Sequence, residues 1–189
     1  MRYLSKSKIM AGLQCPKRLY LEVHRPELLN FSEQAERASA IGHEVGEAAR
    51  TLYPGGTLIE HQDDLKLALD ETRRLLEATD STTLFEPTSQ HGRTLVRSDI
   101  FSRDRQIHHL VEVKASASLK PHYVNDVAIQ SWVIQGAGYP LKTAHLAHID
   151  TSFCQCVRNT SLLSMTAINS TAIGSEGYLF PWHRFGMKD

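Results

Sequence analysis

Cysteine is scarce in this sequence, which contains only Cys15, Cys154 and Cys156 among its 189 residues. A small, odd number of cysteines argues against a disulfide framework and is typical of a reducing compartment. Long apolar runs are also missing, since no stretch approaches the ~20 consecutive apolar residues of a membrane span. The opening MRYLSKSKIM lacks the apolar segment of a signal peptide. These absences predict a cytoplasmic protein without a membrane partner.

Excess charge of either sign is missing as well, because Lys plus Arg and Asp plus Glu both number 21. Net charge therefore gives no argument for or against nucleic-acid binding, and any such surface has to be local. One basic cluster near the start comprises Lys6, Lys8, Lys17 and Arg18, and a solvated surface is its simplest explanation. The length and the 41% hydrophobic content predict one main globular domain.

Apolar periodicity predicts helices on both sides of a strand-rich centre. Five helices are predicted: 5–13, the following QCPKRLYL, 32 to just before YPGG, about 64 to the region of ATDS, and 122–138. Four strands are predicted: 83–87, 93–103, 107–115 and 142–149. Short turns between the first three strands favour antiparallel pairing. The order of elements indicates an α+β or mixed α/β fold.

The helix after Ser32 has the clearest helical period. Its predicted inner face repeats at spacings of three and four residues and comprises Ala38, Ile41, Val45, Ala48 and Leu52. Beyond Cys156 the sequence becomes rich in Ser, Thr, Asn and Gly and shows no sustained period. We therefore predict a folded domain over 1–157 and an irregular tail over 158–189.

The run LVEVKAS carries two charges inside an apolar strand. Strand alternation places Glu112 and Lys114 on one face, and Asp99 on the preceding strand lies 112 − 99 = 13 residues earlier. Adjacent antiparallel strands can bring the two carboxylates together, and both stay ionised only beside a cation. Mg²⁺ or Mn²⁺ fits this place, with the Val113 carbonyl as a further oxygen ligand. A structural salt bridge at a solvated sheet edge is the alternative.

Asp99, Glu112, Val113 and Lys114, followed by a helix with Gln130, resemble the active-site signature of the PD-(D/E)XK nuclease superfamily. The resemblance is to its RecB-like branch, which includes the CRISPR-associated exonucleases. The opening LSKSKIMAGLQCPKRLYL resembles the start of a bacterial family whose longer members carry such a nuclease half.

This resemblance implies a restriction-endonuclease-like core with a central mixed sheet flanked by helices, and metal-dependent hydrolysis of DNA phosphodiester bonds. In the implied roles, Asp99, Glu112 and the Val113 carbonyl hold Mg²⁺ or Mn²⁺, and Lys114 orients the nucleophile or offsets phosphate charge. Gln130 would position the lysine or the water. Tyr123 lies seven residues before Gln130 and so shares its helix face.

The sequence departs from the family pattern at two places. RecB-like nucleases place a metal-binding His four residues after a Gly, and the corresponding step from Gly42 reaches Gly46. His43, Glu47 and Glu86 are the candidates to replace that ligand. Several relatives also bind a four-iron cluster through four cysteines. Cys15, Cys154 and Cys156 leave that cluster one ligand short, so no iron–sulfur cluster is expected.

Two other interpretations remain open. The chain could keep the nuclease fold as a catalytically inactive module that binds nucleic acid or a protein partner, which the missing His favours. It could also be a truncated piece of a longer nuclease. The partner that the resemblance implies is DNA, in single-stranded or double-stranded form.

Overall fold

The computed structural model of the chain describes residues 3–29, 32–61, 63–151 and 163–168. Its helices are α1 (Lys6–Gln14), α2 (Pro16–His24), α3 (Glu33–Arg50), α4 (Leu65–Ala78) and α5 (Pro121–Gly136), with a short 3-10 helix at Pro26–Leu28. The N-cap residues of α1, α3 and α4 are Ser5, Ser32 and Asp64. Their side-chain oxygens accept hydrogen bonds from backbone N–H groups of the first turn. The five predicted helices are therefore confirmed.

The strands of the described residues form two sheets. They are β1 (Leu4–Ser5), β2 (Thr57–Leu58), β3 (Ser81–Phe85), β4 (Thr88–His91), β5 (Thr94–Arg97), β6 (Ile100–Asp104), β7 (Ile107–Lys114), β8 (Leu141–Ile149) and β9 (Leu163–Ile168). The small sheet has the order β1-β5-β4, and the large sheet has the order β2-β3-β6-β7-β8-β9. Strands β7 and β8 are parallel and α5 connects them. This mixed sheet with flanking helices confirms the predicted fold class.

The predicted strand 93–103 divides into two strands that belong to different sheets. Its first part, β5, pairs with β4 and β1, whereas its second part, β6, pairs antiparallel with β3 and β7. The chain bends between them at Ser98 and Asp99. The bend places Asp99 directly before β6, beside β7.

Helix α5 is buried between the two sheets. On the large-sheet side, Val127 and Ile134 pack in a cluster with Leu76, Leu84, Phe101, Leu110, Ala144 and Leu146. On the other side, Ile129 and Val133 pack against Ile9 of α1 and Val96 of β5. Each fully buried side chain of this kind contributes roughly 1.5–3 kcal/mol to stability. Asp126, Gln130 and Ser131 of α5 are consequently held inside the molecule.

Helix α3 covers the opposite face of the large sheet only with its C-terminal half. Ala49 is buried and Val45 is partly buried, in a cluster with Phe85, Ile100 and Val111. The prediction that Ile41 lies on the inner face of this helix is therefore wrong, since Ile41 is 52% exposed. The reason is geometric, because the helix extends past the sheet and its first turns have no packing partner among the described residues.

Within 158–189, the described residues 163–168 form a strand that the sequence pattern did not predict. Strand β9 pairs antiparallel with β8 at the edge of the large sheet, from Leu163 opposite Ile149 to Ile168 opposite Ala144. The proposed boundary at 157 stays a prediction. Cys154 and Cys156 lie outside the described residues. None of the helices in the described part of the chain is long and apolar enough to span a membrane.

Candidate active site

The register of β6 and β7 determines the position of Asp99. Ile100 pairs with Val111, so the next step places Asp99 opposite Glu112. The Asp99 carboxylate accepts a hydrogen bond from the Val113 N–H at 2.6 Å. The bend is held from the other side by Glu86, whose N–H donates to the Asp99 carbonyl at 3.1 Å. Two carboxylates thus face each other at one point of the large sheet.

Glu112 is almost completely buried, with 1% of its surface exposed. Its Oε1 contacts the ammonium groups of Lys6 at 2.9 Å and Lys114 at 2.5 Å, and its Oε2 accepts from Gln130 Nε2 at 2.6 Å. A buried carboxylate without partners would cost several kcal/mol. The two lysines and the glutamine amide therefore compensate the charge inside the apolar strand.

Asp126 completes this cluster from α5. It contacts Lys6 Nζ at 2.9 Å and Lys114 Nζ at 2.6 Å, and it accepts from Gln130 Nε2 at 3.0 Å. Lys6 and Lys114 each bridge Glu112 and Asp126. Sequence reasoning missed both Lys6 and Asp126. The spacing of four residues between Asp126 and Gln130 could have indicated the aspartate, since it places both on one helix face.

The electrostatics of this cluster favour the charged states of Lys6, Lys114 and Asp126. Burial alone lowers the pKa of Lys6 and of Lys114, but the charges of Glu112 and Asp126 outweigh it and raise both pKa values. Burial alone raises the pKa of Asp126, but the two lysines outweigh it and lower that pKa to about 2. The basic residue Lys6 is therefore part of an internal ion-pair network and not of a solvated surface.

Asp99 lies next to Glu112, but its environment differs from that of Asp126. Burial, followed by the charge of Glu112, raises the pKa of Asp99 well above its usual value. Among the described residues Asp99 makes no ion pair within 4.0 Å, and its hydrogen bond from Val113 comes from the main chain. Within the described part of the chain, Asp99 is therefore the carboxylate of this cluster that lacks a direct cationic partner.

Two cavities adjoin the site. A cavity of about 320 Å³ lies below α3 and is lined by Asp99, Val113, Gly46, His43 and Glu86, among others. A larger cavity of about 660 Å³ lies between α1 and α5 and is lined by Lys6, Lys114, Asp126, Tyr123, His122 and Arg18, among others. Asp99 therefore borders one cavity and the lysines border the other.

The additional candidate residues have unequal positions. Glu86 and His43 line the smaller cavity, but Glu86 is paired with Arg50 at 2.9 Å. Glu47 is exposed on α3 and does not line that cavity. The Tyr123 ring lies 5.6 Å from Lys114 Nζ and lines the larger cavity. Cys15 is exposed between α1 and α2 and borders neither cavity.

The donor set agrees with a hard divalent cation. Asp99 and Glu112 provide two carboxylates, and Mg²⁺ is commonly held by one or two carboxylates while it keeps several waters. No group of three or more His, Cys, Asp or Glu within the described ranges could form a larger protein cage. Space is present at Gly46, because a Cβ there would meet no atom within 4 Å. A divalent cation held here would therefore have few protein ligands.

Comparison with known proteins relates the fold to an exonuclease. No protein-family model matches the chain, and no curated protein matches it significantly in sequence. An alkaline exonuclease (LHK-Exo) from Laribacter hongkongensis is similar in structure, with a TM-score of 0.50 and 12% identity over 88% of this chain and 76% of that chain. The same exonuclease in complex with dAMP gives the same values. The chain thus has a nuclease-like fold.

Proposed function

We propose that this chain is a metal-dependent nuclease of the PD-(D/E)XK type that hydrolyses DNA phosphodiester bonds. One observation carries the proposal: the register of β6 and β7 places Asp99 opposite Glu112, two residues from Lys114. The exonuclease-like fold supports the same conclusion at the level of architecture. Assignment to the RecB-like branch rests on the sequence motifs.

The proposed roles follow from the position of each side chain. Asp99, Glu112 and the Val113 carbonyl would hold Mg²⁺ or Mn²⁺, which when bound lowers the pKa of a coordinated water and stabilises charge on the leaving oxygen. Lys114 provides a fixed positive charge for the scissile phosphate or the nucleophile. Gln130 holds the Glu112 carboxylate in place through its amide at 2.6 Å.

A nucleic-acid substrate is supported by two observations. The larger cavity beside Lys114 is lined by further basic side chains, including Lys6 and Arg18. Phosphate contacts of such groups give strong, salt-dependent binding. A structural neighbour is named as an exonuclease and was solved in complex with dAMP. DNA is therefore the substrate class that we propose, with strand preference left to the assay.

A second candidate function is an inactive nucleic-acid-binding or partner-binding module. Gly46 favours it, because this position has no side chain where the RecB-like pattern has a metal-binding His. The contacts of Lys6 and Lys114 with Glu112 favour it as well, since they neutralise a proposed metal ligand. Such a module would bind DNA in a mobility-shift assay without cleaving it.

The deciding experiment is a cleavage assay on end-labelled single-stranded and double-stranded DNA with Mg²⁺, Mn²⁺ or EDTA. We expect wild-type cleavage with either metal and none with EDTA. Lys114→Ala should lose cleavage, whereas Lys17→Ala, which removes an exposed lysine of α2, should retain it. DNA binding without cleavage under every metal condition would favour the inactive module instead.

A further inference from the structure

Lys6 is held in the site by main-chain pairing. Strand β1 pairs in parallel with β5, and the Leu4 N–H donates to the Arg93 carbonyl at 2.9 Å. Helix α1 begins at Lys6 directly after β1, with Ser5 as its cap. Since β5 ends two residues before Asp99, one strand pair positions both Lys6 and Asp99. The lysine is therefore a fixed part of the site.

The contacts of Lys6 conflict with metal binding. Its ammonium group lies 2.9 Å from Glu112 Oε1, and Glu112 is one of the two carboxylates proposed to hold the metal. Two cations that use the same carboxylate repel each other strongly in a buried environment. A divalent cation at this site therefore has to compete with an ammonium group of the protein itself.

The charge balance of the site leads to the same conclusion. Asp99, Glu112 and Asp126 contribute three negative charges when ionised, and Lys6 and Lys114 contribute two positive ones. With all three carboxylates ionised, the metal-free site carries one net negative charge, and a divalent cation makes the total positive. Without Lys6 the net charge would be two negative, which a divalent cation would neutralise.

We propose that Lys6 competes with the metal, so that it occupies Glu112 in the metal-free protein and withdraws toward the larger cavity when a divalent cation binds. This inference rests on the proposed metal-dependent function. Lys6 borders that cavity, which has room for the released side chain at about 660 Å³. Lys6 is a positioning residue in this scheme, and it keeps metal affinity low in the free protein. Lys114 shares the contacts, but its proposed catalytic role makes it unsuitable as a test.

Calorimetric titration with Mn²⁺ tests the competition directly. Lys6→Met removes the ammonium group and keeps the length of the side chain, so Mn²⁺ affinity should rise roughly tenfold or more by Coulomb's law at an effective dielectric constant of about 20. Lys6→Arg keeps the charge and should bind as wild type does. Lys17→Met is the matched control for loss of an exposed lysine and should leave affinity unchanged.

The outcomes separate this inference from the proposed function. Wild-type affinity in a folded Lys6→Met variant overturns the competition and leaves the metal site intact. Absence of Mn²⁺ binding in both wild type and Lys6→Met overturns the metal site and the competition together. Circular dichroism checks folding, and Lys6→Gln, which keeps a hydrogen-bond donor for Glu112, replaces Lys6→Met if that variant does not fold.

A second measurement needs no substitution in the site. Saturating Mn²⁺ should release the Lys6 ammonium from Glu112 and so raise its rate of acetylation by a succinimidyl ester several-fold, as measured by mass spectrometry. Lys17 provides the internal reference, since its exposure does not depend on the site. A Lys6 rate that is unchanged by saturating Mn²⁺ overturns the proposal.

Discussion

An aspartate lies on each side of Glu112, and the pKa values of the two aspartates are shifted in opposite directions. On the α5 side, Asp126 contacts Lys6 and Lys114, and its pKa falls to about 2. On the α3 side, Asp99 is partly buried, and its pKa is raised well above the usual value. Burial raises the pKa of both carboxyl groups, so nearby cations decide the difference.

This contrast separates stability from proposed function within one cluster. The Asp126 side is compensated by the protein itself and links α1, β7 and α5. On the other side, Asp99 borders a cavity and has itself no ion-pair partner among the residues that the structure describes. We therefore expect substitutions on the first side to affect folding, and substitutions on the second to affect metal-dependent activity.

Glu112→Gln should have the largest effect, because Glu112 belongs to both sides. The substitution leaves Lys6 and Lys114 with Asp126 as their remaining carboxylate. Breaking a buried pair costs about 3–5 kcal/mol, so Tm should fall by roughly 6 °C or more, and metal-dependent cleavage should disappear. Thermal melts in EDTA and the cleavage assay measure the two effects.

The control for Glu112→Gln is Glu33→Gln, which removes an exposed carboxylate paired with Arg37 at 3.5 Å. Exposed pairs of this kind contribute about 0–1 kcal/mol, so its melt should hardly change. A Glu112→Gln melt as close to wild type as that of the control would contradict the assigned role of the ion-pair network.

Asp99→Asn should abolish metal-dependent cleavage without lowering stability in EDTA. Asparagine can still accept from the Val113 N–H, and it removes a partly buried carboxylate opposite Glu112. Since the folded pKa of Asp99 is raised, its stabilising contribution is present at low pH and is lost as pH rises through the folded pKa. Urea unfolding from pH 5 to 8 should therefore show an advantage of the mutant that grows with pH.

The exposed Asp70 on α4 supplies the control for this pH series. Asp70→Asn should give unfolding curves that follow wild type at every pH. Lower stability of Asp99→Asn in EDTA would contradict the destabilising environment assigned to the Asp99 carboxylate.

Asp126→Asn should destabilise the protein by an intermediate amount, on the order of 2 kcal/mol near neutral pH. The folded pKa of Asp126 is lowered to about 2. Its contribution is thus present above the unfolded pKa of about 4 and is lost as pH falls toward 2. Urea unfolding should show wild type and mutant converging over this acidic window, and a gap that persists there would contradict the assignment.

The helices and the strands of the large sheet were largely predictable, since they depend on local periodicity and capping. Strand β4 was missed because TSQH shows no alternation of apolar and polar residues. Strand β9 was missed because a Ser-rich and Thr-rich segment becomes a strand only by pairing with β8. The exposure of Ile41 was also unpredictable, because a periodic face does not reveal where its partner surface ends.

The site shows the same division between local and distant information. Asp99, Glu112, Lys114 and Gln130 could be placed because strand alternation, a short connection and the following helix relate them. The contact between Lys6 and Glu112 joins residues 106 apart in sequence, and it depends on the pairing of β1 with β5. No sequence pattern indicates such a contact, so the basic N-terminal segment was interpreted as surface.

Gly46→Ala should have the smallest effect and should act only on stability. Gly46 lies inside α3, and an added Cβ would meet no atom within 4 Å. Glycine in a helix interior is less favourable than alanine by roughly 0.5–1 kcal/mol, so the variant should be more stable by about that amount. Urea unfolding measures the gain, and Mn²⁺ affinity should stay at the wild-type value.

Gly46→His then tests whether the metal binds in the cavity that Asp99 borders, with Gly46→Ala as the reference. Gly46 borders the same cavity as Asp99 and Val113, so an imidazole there can add a ligand where the RecB-like pattern has one. Imidazole is a better ligand for Ni²⁺ than for Mg²⁺. Calorimetry should therefore show a larger gain for Ni²⁺ than for Mg²⁺ relative to Gly46→Ala. Equal affinities in the two variants would place the metal outside the cavity below α3, and the contrast between the two sides of Glu112 would then reduce to a difference in stability alone.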